Sequence, residues 1–399
     1  MVPELVAVEA PPGPGWPAEL RRWWDRGDAV LPVDHRLPVA ARDRLFAALR
    51  PTRRVGHCGG PADTVPGGRP TEEGDALVLA TSGTTGQPKG VVLTHGALDA
   101  ATEAVHRRLA VDPGRDGWLA CLPLAHAGGM GVVVRAVRST TPVTVLPAFD
   151  PALLSAAAGS LRREGRTALV SLVATALRRV DPADFRVVVL GGDAAPTWDG
   201  PAWPDGRPAP VVVTYGLTET GGGCVYDGVA LDGVEVEVTA GTGEVRVRGS
   251  VLARAYRGPF GDAPLAGPAG WLATGDGGRF VTGADGLERL QVDGRLAEVI
   301  VTGGEKVWPA AVEAVLRPCR GVGAVAVIGR PDEEWGQAVV AVVVPSDPAD
   351  PPTLDELRRA VRAELAPWAA PTQLQLVDAL PVTALGKLRR SALRSRRTG

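Results

Sequence analysis

Lysine is scarce in this chain. It stands only at positions 89, 306 and 387, and arginine supplies every other basic residue. A lysine ammonium is a compact charge on a flexible stem, so a planar guanidinium does not replace it at every site. Each of the three lysines lies in a motif that also contains glycine. The scarcity therefore marks Lys89, Lys306 and Lys387 as candidate functional residues, with chance placement as the alternative.

Several other signals are absent. The four cysteines show no C-x-x-C spacing, so neither a zinc site nor a disulfide framework is indicated. The formal net charge of −2 gives no reason to expect nucleic acid as a partner. No apolar run reaches the length of a membrane span, and the first residues lack a basic start followed by an apolar core. We therefore expect no membrane span and no secretion, with the cytoplasm as the location.

Short apolar strands alternate with helical patterns in the first half of the chain. The pattern predicts helices at 97–109 and 152–164, and strands at 117–123, 143–146, 168–172 and 186–190. This rhythm is typical of a layered α/β domain with parallel strands. Residues 234–251 instead alternate with period two around a Gly-Thr-Gly turn, which predicts an antiparallel hairpin in a separate β subdomain.

The segment ATSGTTGQPKGVVLTH, residues 80–95, follows an apolar run at 76–80 that reads as a buried strand. Glycines let successive N–H groups turn inward, hydroxyls add donors and a lysine adds a full charge, which is the composition of a phosphate-binding loop. A surface hairpin loop is the alternative. The spacing differs from the common nucleotide-binding P-loop, where lysine directly follows the second glycine. The candidate phosphate ligands are Thr81, Ser82, Gly83, Thr84, Thr85, Gly86 and Lys89.

Three later segments carry further candidates. In PLAHAGGM, residues 123–130, a histidine at a predicted strand end stands beside two glycines that leave room for a ligand; a structural histidine is the alternative. Small residues follow the strand that ends at residue 190, where open α/β sheets admit ligands, although a plain turn would look the same. In TYGLTET, residues 214–220, a tyrosine offers a flat face for a purine and threonine and glutamate offer oxygens for magnesium. The residues concerned are His126, Gly128, Gly129, Gly191, Gly192, Asp193, Tyr215, Gly216, Thr218, Glu219, Gly222 and Gly223.

The order SGTTGxPKG, together with YGLTE, TGD at 274–276 and the terminal P-x-x-x-x-G-K at 381–387, resembles the adenylate-forming superfamily of acyl-CoA synthetases, adenylation domains and luciferases. The resemblance implies a large N-terminal domain at 1–294, built of layered α/β subdomains plus a β subdomain, and a small mobile C-terminal α/β domain at 295–399. It implies ATP, Mg²⁺ and coenzyme A as cofactors. The expected reaction forms an acyl adenylate from a carboxylate and then transfers the acyl group to a thiol.

The resemblance also assigns roles to individual residues. Lys387 is the expected catalytic lysine of adenylation, and Glu219, with Thr84, is expected to hold Mg²⁺. Asp276 is expected at the ribose hydroxyls and Arg295 at the ribose or α-phosphate. Gly303 and Gly304, next to Lys306, correspond to a loop that lines the thiol tunnel, with an ordinary β-turn as the alternative. The family often carries an acidic residue or lysine at the hinge position, whereas this chain has Ala297 there.

The identity of the acid rests on weaker signals. The short chain, PLAHAGGM and TGGEKVWPAAVE are together most similar to actinobacterial o-succinylbenzoate-CoA ligases of menaquinone synthesis. The small residues Gly128, Gly129 and Gly222 are consistent with an aromatic acid as substrate, and a second carboxylate on it would need a cation that the sequence does not identify. Another aryl or fatty acid–CoA ligase and an adenylation domain that loads a carrier protein remain open. A non-catalytic nucleotide-binding protein is disfavoured, because Lys89, Glu219, Asp276, Arg295 and Lys387 are all present. The sequence leaves a homodimer open.

Overall fold

The computed structural model describes residues 2–82, 87–192, 211–283, 285–382 and 388–394. The chain forms two compact units. The larger unit comprises residues 1–237, 246–273 and 282–290, and the smaller comprises residues 238–245, 274–281 and 291–399. The expected functional boundary at 294/295 stays a prediction.

The strands of the first 230 residues are β1 (Leu5–Val8), β2 (Ala29–Pro32), β3 (Arg53–Val55), β4 (Ala62–Thr64), β5 (Asp75–Ser82), β6 (Pro88–Thr94), β7 (Asp116–Ala120), β8 (Val143–Val145), β9 (Thr167–Leu172), β10 (Val187–Leu190), β11 (Val211–Leu217), β12 (Gly222–Tyr226) and β13 (Val229–Ala230). The later strands are β14 (Val234–Val238), β15 (Glu244–Gly249), β16 (Ala255–Gly258), β17 (Gly261–Pro264), β18 (Leu272–Thr282), β19 (Glu288–Arg295), β20 (Ile300–Thr302), β21 (Glu305–Val307), β22 (Val322–Asp332), β23 (Gly336–Pro345) and β24 (Gln373–Leu376). The helices are α1 (Trp16–Trp24), α2 (Val39–Leu49), α3 (His95–Leu109), α4 (Ala127–Ser139), α5 (Pro151–Arg163), α6 (Ala174–Leu177), α7 (Pro309–Leu316), α8 (Leu354–Glu364) and α9 (Arg390–Arg394).

The first sheet of the larger unit has the strand order β17-β16-β6-β5-β2-β1-β3-β4. Strand β1 pairs in parallel with β2 and β3, whereas β5 with β6 and β6 with β16 are antiparallel. A core of aliphatic residues from β1, β2, α2, β5 and β6 supports one side of it. Strand β16 is contributed by a segment more than 160 residues later than β6, and this non-local pairing builds one edge of the candidate site.

The second sheet has the order β13-β12-β11-β10-β9-β7-β8. Strands β8, β7, β9, β10 and β11 pair in parallel along this order, which confirms the α/β rhythm predicted for this part of the chain. Helix α5 packs its apolar side onto β7 and β9 in a core that includes Leu154, Leu161 and Val170. Strand β11 then turns back into antiparallel β12, and the TYGLTET residues form the end of β11 and this turn.

The third sheet has the order β14-β15-β18-β19, and the division between the two units falls inside these strands. Strands β14 and β15 lie side by side, as the predicted hairpin requires, and the N–H of Gly243 donates to the carbonyl of Thr239 (2.9 Å) in the turn between them.

The smaller unit also holds the antiparallel pair β20-β21 and the sheet β22-β23-β24. Helices α7 and α8 cover this sheet through a buried aliphatic core that includes Val312, Leu316, Leu357 and Val361. Leu393 of α9 joins a second cluster with Ile328 and Val340. Helix α7 begins with Pro309, whose fixed φ suits the first turn of a helix. In the segments that the structure describes, none of the helices combines the length and the apolar character needed to cross a membrane.

Candidate active site

The predicted phosphate-binding loop joins β5 and β6, which pair antiparallel with Thr81 opposite Lys89 and Ala80 opposite Gly90. The hairpin that the sequence offered as an alternative is therefore present in the flanking strands. A hairpin does not conflict with phosphate binding, because inward-turned N–H groups and hydroxyls can occupy its loop. Gly83, Thr84, Thr85 and Gly86 lie outside the described residues, as does the side chain of Ser82.

Lys89 lies on strand β6 and not in the loop itself. Its ammonium is 3.6 Å from Oε1 of Glu219 and 3.6 Å from the centroid of the Tyr256 ring. The Tyr256 hydroxyl donates a hydrogen bond to the same Oε1 of Glu219 (2.8 Å). Two charged residues that the sequence assigned to ATP are thus brought together, and a tyrosine that it did not assign touches both.

A tight turn fixes the direction of Glu219. Residues 218–220 form a single 3₁₀ turn, and the hydroxyl of Thr220 accepts from the N–H of Leu217 (2.9 Å) and lies 2.6 Å from the carbonyl oxygen of Gly222. The carbonyl of Glu219 accepts from the N–H of Ala253 (2.8 Å). Because its backbone is held on both sides, the Glu219 carboxylate is presented at one place beside β6 and β16.

The predicted adenine site lies where β10 and β11 end and β12 begins. The register of β11 and β12 shifts between Tyr215 and Gly216, and a Cβ on Gly216 would fall inside contact distance of the carbonyl oxygen of Gly222. A Cβ on Gly191 would lie 2.8 Å from the hydroxyl oxygen of Thr214. Glycine is therefore required at 216 because the backbone of Gly222 lies against it, and at 191 because the Thr214 side chain does. Gly192 has a positive φ of 103°, and Asp193 lies outside the described residues.

His126 is the N-cap residue of α4, so the structure places it at a helix start and not at the strand end that the sequence predicted. Gly128 and Gly129 form the first turn of that helix. A Cβ on Gly129 would meet the backbone carbonyls of Leu122 and Pro123, whereas one on Gly128 would make only an ordinary contact of 3.5 Å with the Leu122 side chain. Because Gly129 has no side chain, helix α4 can approach the backbone of Leu122 and Pro123 closely. Gly222 has a φ of 131° and open space where a Cβ would stand.

Helix α4 also carries a buried cation. Arg135 is 8% exposed, and its guanidinium carbon lies 4.9 Å from the centroid of the Trp118 ring. Its Nη2 donates to the hydroxyl of Ser171 at 3.4 Å, and its Nε has no hydrogen-bond partner among the described atoms. No carboxylate pairs with Arg135 in the described parts of the chain. Burial lowers the pKa of Arg135, but a guanidinium remains charged in a protein.

The uncompensated charge of Arg135 faces small residues. Its Nη1 lies 3.2 Å from the point where a Cβ of Gly131 would stand, and that point is 3.3 Å from the carbonyl oxygen of Gly221. Gly221 lies between Glu219 and Gly222 in the sequence. On the other side, His106 stacks on Trp118 with ring centroids 6.2 Å apart. Burial and, next, the nearby Arg135 lower the pKa of His106 to about 4.

In the smaller unit, two residues that the sequence assigned to the nucleotide contact each other. Nε of Arg295 is 3.0 Å from Oδ1 of Asp276, and Nη1 of Arg295 donates to the carbonyl of Thr274 (2.9 Å). Gly294 has a φ of 138°, so glycine suits the position before Arg295. The predicted hinge residue Ala297 lies in a short 3₁₀ turn at 296–298.

The predicted thiol-tunnel glycines form the turn between β20 and β21. Thr302 pairs with Glu305, and the two residues between them, Gly303 and Gly304, have φ values of 58° and 84°. Positive φ at both central positions is the requirement of a type I′ hairpin turn, which explains the two glycines. A Cβ on Gly303 would lie 2.8 Å from the ring of Trp335, which is 51% exposed.

The C-terminal motif lies only in part within the described residues. Lys387 is outside them, but Val382 and Leu388 form a β-bridge on either side of the gap. Arg390 does not behave as the solvated charge that its position in an arginine-rich tail suggests. Its Nη2 lies 2.7 and 2.8 Å from the two carboxylate oxygens of Glu313, a residue that is 6% exposed.

The described residues around Glu219 fit a magnesium ion that is shared with the phosphates of a nucleotide. No group of three or more His, Cys, Asp or Glu side chains suited to a metal is found among the described residues, so a closed protein cage is not present there. Mg²⁺ in nucleotide sites is held by one or two carboxylates plus the phosphates of the substrate. Glu219, with a side chain that is 12% exposed, can supply one such carboxylate.

Sequence reasoning missed Tyr256 and Arg135. Arg135 had a signal, because it is the single charge inside the run GMGVVVRAV at 129–137, and a charge on the apolar side of a helix is expensive unless it serves a partner or a ligand. Tyr256 had none. Its strand is short, and the partner strand β6 is too distant in the sequence to be inferred from a local pattern.

Comparison with known proteins gives consistent matches over most of the chain. A family model described as AMP-binding enzyme matches residues 62–256, and one described as AMP-binding enzyme C-terminal domain matches residues 311–387. A probable 2-succinylbenzoate–CoA ligase of Mycobacterium tuberculosis (strain ATCC 25618 / H37Rv) is 41% identical over 345 residues, which cover 83% of this chain and 87% of the relative. An indoleacetate–CoA ligase of Aromatoleum aromaticum is 33% identical over 354 residues, which cover 80% of this chain and 66% of the relative.

A solved structure supports the fold over nearly the whole chain. The o-succinylbenzoate CoA synthetase from Bacillus subtilis, in complex with the acyl-adenylate intermediate OSB-AMP, has a TM-score of 0.79 and is 24% identical. The match covers 99% of this chain and 89% of that one. The mixed α/β architecture expected from the sequence is thereby confirmed.

Proposed function

The chain belongs to the AMP-binding enzyme family, and from this premise we propose that it is an ATP-dependent ligase that joins 2-succinylbenzoate to coenzyme A. In the first step a carboxylate oxygen of the acid bonds to the α-phosphorus of ATP and pyrophosphate leaves. In the second step the sulfur of coenzyme A bonds to the acyl carbon, AMP leaves with the electrons of the broken C–O bond, and the thiol proton goes to solvent.

The observation that carries the choice of acid is the buried guanidinium of Arg135. A buried charge is costly unless a counter-charge or strong hydrogen bonds compensate it. No described carboxylate does so, while Gly131 and Gly221 leave its Nη1 beside a position without side chains. 2-Succinylbenzoate carries two carboxylates, so one can react while the other pairs with Arg135. An acid with a single carboxylate would leave the cation uncompensated.

The charges in the larger unit suit the first step. A carboxylate and a nucleotide phosphate repel each other, by about 4 kcal/mol for unit charges 4 Å apart at an effective dielectric near 20, so cations must sit at the reacting centre. Lys89 holds an ammonium next to Glu219, and Glu219 would hold Mg²⁺, which neutralises charge on the leaving pyrophosphate. Lys387 would supply the cation between the two reacting anions. The nucleophile is already ionised at neutral pH, so no general base is needed.

The remaining assignments follow from the resemblance of the motifs. Pyrophosphate would be bound by Thr81, Ser82, Gly83, Thr84, Thr85 and Gly86, and the adenosine side of ATP by Gly191, Gly192, Asp193, Tyr215, Gly216 and Thr218. Ribose and the α-phosphate would be bound by Asp276 and Arg295. The path of the thiol would be lined by Gly303 and Gly304. His126, Gly128, Gly129 and Gly222 would border the acid.

A mobile C-terminal domain at 295–399 would exchange one set of these groups for another between the two steps.

The cytoplasm, which supplies ATP and coenzyme A, is the location that this reaction implies. A homodimer stays a prediction that light scattering of the purified chain tests.

The test is an acid panel scored by pyrophosphate release and by acyl-CoA formation. The panel contains 2-succinylbenzoate, two analogues that each lack one of its carboxylates (4-oxo-4-phenylbutanoate and 2-butanoylbenzoate), and indoleacetate. We expect kcat/KM for 2-succinylbenzoate to exceed that for either analogue by at least about tenfold, the value of a charge-assisted hydrogen bond. Arg135→Met should remove the preference over the analogue that keeps the reacting carboxylate, since the analogue without it cannot form an acyl adenylate in either protein. Arg163→Met, at an exposed arginine of α5, should keep the preference.

Two results would contradict parts of the proposal. If the parent enzyme turned over the analogues as well as 2-succinylbenzoate, the proposal that the substrate is a dicarboxylate would be wrong, and the proposed reaction class would be unaffected. Pyrophosphate release without acyl transfer to coenzyme A, but with transfer to a carrier protein that bears phosphopantetheine, would show that coenzyme A is not the acyl acceptor.

A further inference from the structure

Tyr256 occupies a position that links two charged groups of the candidate active site. It lies on β16, opposite Val91 of β6. Side chains two residues apart on a strand point to the same face, so Lys89 shares the face of Val91 and Tyr256, and Gly90 and Arg257 point to the other. Diagonal neighbours on one face of an antiparallel pair come within reach of long side chains. This register explains why the Lys89 ammonium rests on the Tyr256 ring.

The ring and the hydroxyl of Tyr256 contact different charged groups. The ring face attracts the ammonium of Lys89, as aromatic faces attract cations. The hydroxyl donates to Oε1 of Glu219 at 2.8 Å, and the ammonium is 3.6 Å from this same oxygen. A hydrogen bond to an ionised acceptor is roughly twice as strong as one between neutral groups. Tyr256 therefore fixes the carboxylate through one oxygen and holds the ammonium near it.

An ammonium at Glu219 conflicts with the proposed role of that residue. A carboxylate that already pairs with a lysine is a poorer ligand for a second, more highly charged cation, because the two cations repel each other. Lys89 must therefore leave Glu219 when metal and nucleotide bind, and the phosphates of the nucleotide offer it a new partner. The side chain is free to move, since 37% of it is exposed. The 12% exposed Glu219 has far less freedom.

From these contacts we propose that Tyr256 is a positioning residue for metal binding. Its hydroxyl fixes the direction of the Glu219 carboxylate, which would hold the metal, and its ring gives Lys89 a resting place in the absence of nucleotide. Lys89 then acts as the counter-ion of Glu219 until Mg²⁺ and ATP replace it. This inference rests on the proposed function, since it concerns the same nucleotide site.

The backbone of Tyr256 is anchored independently of its hydroxyl. The next residue, Arg257, is 1% exposed, and its guanidinium donates to the carbonyls of Leu49 (2.7 Å), Pro70 (2.9 Å), Arg50 (3.3 Å) and Arg69. Burial lowers the pKa of Arg257 to about 10. Strand β16 is thus tied to the rest of the sheet by a residue on its opposite face. Tyr256→Phe can remove the hydroxyl and leave the strand in place.

The experiment is a calorimetric titration of ATP into the full chain at a series of Mg²⁺ concentrations, without acid or coenzyme A. Tyr256→Phe loses the hydroxyl and keeps the ring, whereas Tyr256→Leu loses both. We expect Tyr256→Phe to need about ten times more Mg²⁺ for half of its maximal ATP affinity, which corresponds to the loss of one hydrogen bond to a charged group. At saturating Mg²⁺ its ATP affinity should match that of the parent. Tyr256→Leu should show the same shift, and because its lost ring contact with Lys89 belongs to the nucleotide-free state, it should not bind ATP more weakly than Tyr256→Phe at saturating Mg²⁺.

Competition by Mn²⁺, followed by electron paramagnetic resonance, gives a second readout of the metal alone. A Mg²⁺ midpoint of Tyr256→Phe within about twofold of the parent would overturn the inference. So would an equal loss of ATP affinity at every Mg²⁺ concentration, which is the behaviour of a tyrosine that only supports the fold. A parent chain that bound no ATP at any Mg²⁺ concentration would instead reject the proposed function itself.

Discussion

Arg295 holds Asp276: its Nε lies 3.0 Å from Oδ1 of that carboxylate. Both residues were assigned to the nucleotide by sequence resemblance, and the structure shows that each is also the partner of the other within the smaller unit. The pair presents a carboxylate whose direction is fixed, which is what recognition of two neighbouring hydroxyls requires.

The first prediction concerns this carboxylate. Asp276→Asn keeps the shape of the side chain but weakens its ability to accept two hydrogen bonds from ribose. We expect the KM for ATP in pyrophosphate exchange to rise by about tenfold. The parent should prefer ATP over 2′,3′-dideoxy-ATP, and the variant should lose this preference. A variant that keeps the full preference for ribose hydroxyls would show that Asp276 contacts another part of the nucleotide.

The second prediction concerns pH and His106. Burial and the nearby Arg135 lower the pKa of His106 to about 4, whereas an unfolded histidine titrates near about 6.5. Between these values the unfolded chain binds the extra proton, so this histidine contributes stability that is present above about pH 6.5 and lost as pH falls towards 4. At about pH 5 the loss should be about 2 kcal/mol.

Urea unfolding of the parent, His106→Asn and His57→Asn at about pH 7.5 and 5 measures this effect. His106→Asn should lose less stability on acidification than the parent. His57→Asn, at an exposed position, should follow the parent. Identical pH dependence in all three proteins would mean that His106 takes up its proton without cost.

The third prediction concerns Gly216. A Cβ at this position would overlap the carbonyl oxygen of Gly222 across the β11–β12 pair, so Gly216→Ala must push the strands apart beside Tyr215. We expect a loss of about 2 kcal/mol or more in the free energy of unfolding, together with weaker ATP binding by calorimetry.

A matched control is Gly159→Ala in helix α5. There a Cβ meets only the far end of the Arg163 side chain at 3.6 Å, so alanine should stabilise by about 0.5–1 kcal/mol. If the two alanine variants proved equally stable, the close approach of Gly216 and Gly222 would be a contact that relaxes easily.

The fourth prediction concerns the buried ion pair of Arg390 and Glu313. Arg390→Met leaves a buried carboxylate without its cation, which typically costs about 3–5 kcal/mol. The double variant Glu313→Met with Arg390→Met should recover most of this loss in urea unfolding, because neither charge then remains.

The pH dependence of Arg390→Met provides an independent check. Burial raises the pKa of Glu313 even in the presence of Arg390, which opposes the shift. Without Arg390 the folded state binds a proton more readily than the unfolded state, so its stability falls as pH rises. The defect of Arg390→Met should therefore be larger at about pH 8 than at about pH 5. A defect of the same size at both pH values would mean that Glu313 is hydrated in the variant.

Much of the fold was predictable because its signals are local. Helices α3 and α5 and strands β8, β9 and β10 follow from periodicity within a few residues. The Gly303–Gly304 turn follows from the demand of a two-residue hairpin for positive φ. The prediction that His126 stands at a strand end was wrong, because His126 is the N-cap residue of α4. Gly128 and Gly129 are poor helix formers and hide this helix in the sequence. Glycine is needed at 129 because a Cβ there would meet the backbone of Leu122 and Pro123.

The sequence supplied candidate residues for the site but not the contacts between them. Scarcity of lysine pointed to Lys89, and its motif pointed to phosphate. Its contact with Tyr256, by contrast, depends on the pairing of β6 with β16, which no local pattern encodes. Arg135 is marked in the sequence as the single charge of an apolar run at 129–137, but the sequence does not show its surroundings. The absence of a paired carboxylate is visible only in the described structure.

The hydrogen bonds of Arg257 affect how the protein can fold during its synthesis on the ribosome. It joins carbonyl groups that precede it by as many as 208 positions, so those groups are synthesised long before the residue that satisfies them. Until β16 emerges, the nascent chain presents β6 as an unpaired strand edge, and such edges recruit other chains. The first sheet of the larger unit therefore closes late in translation, and a stalled or truncated product that ends before residue 255 should be a substrate for chaperones and prone to aggregate.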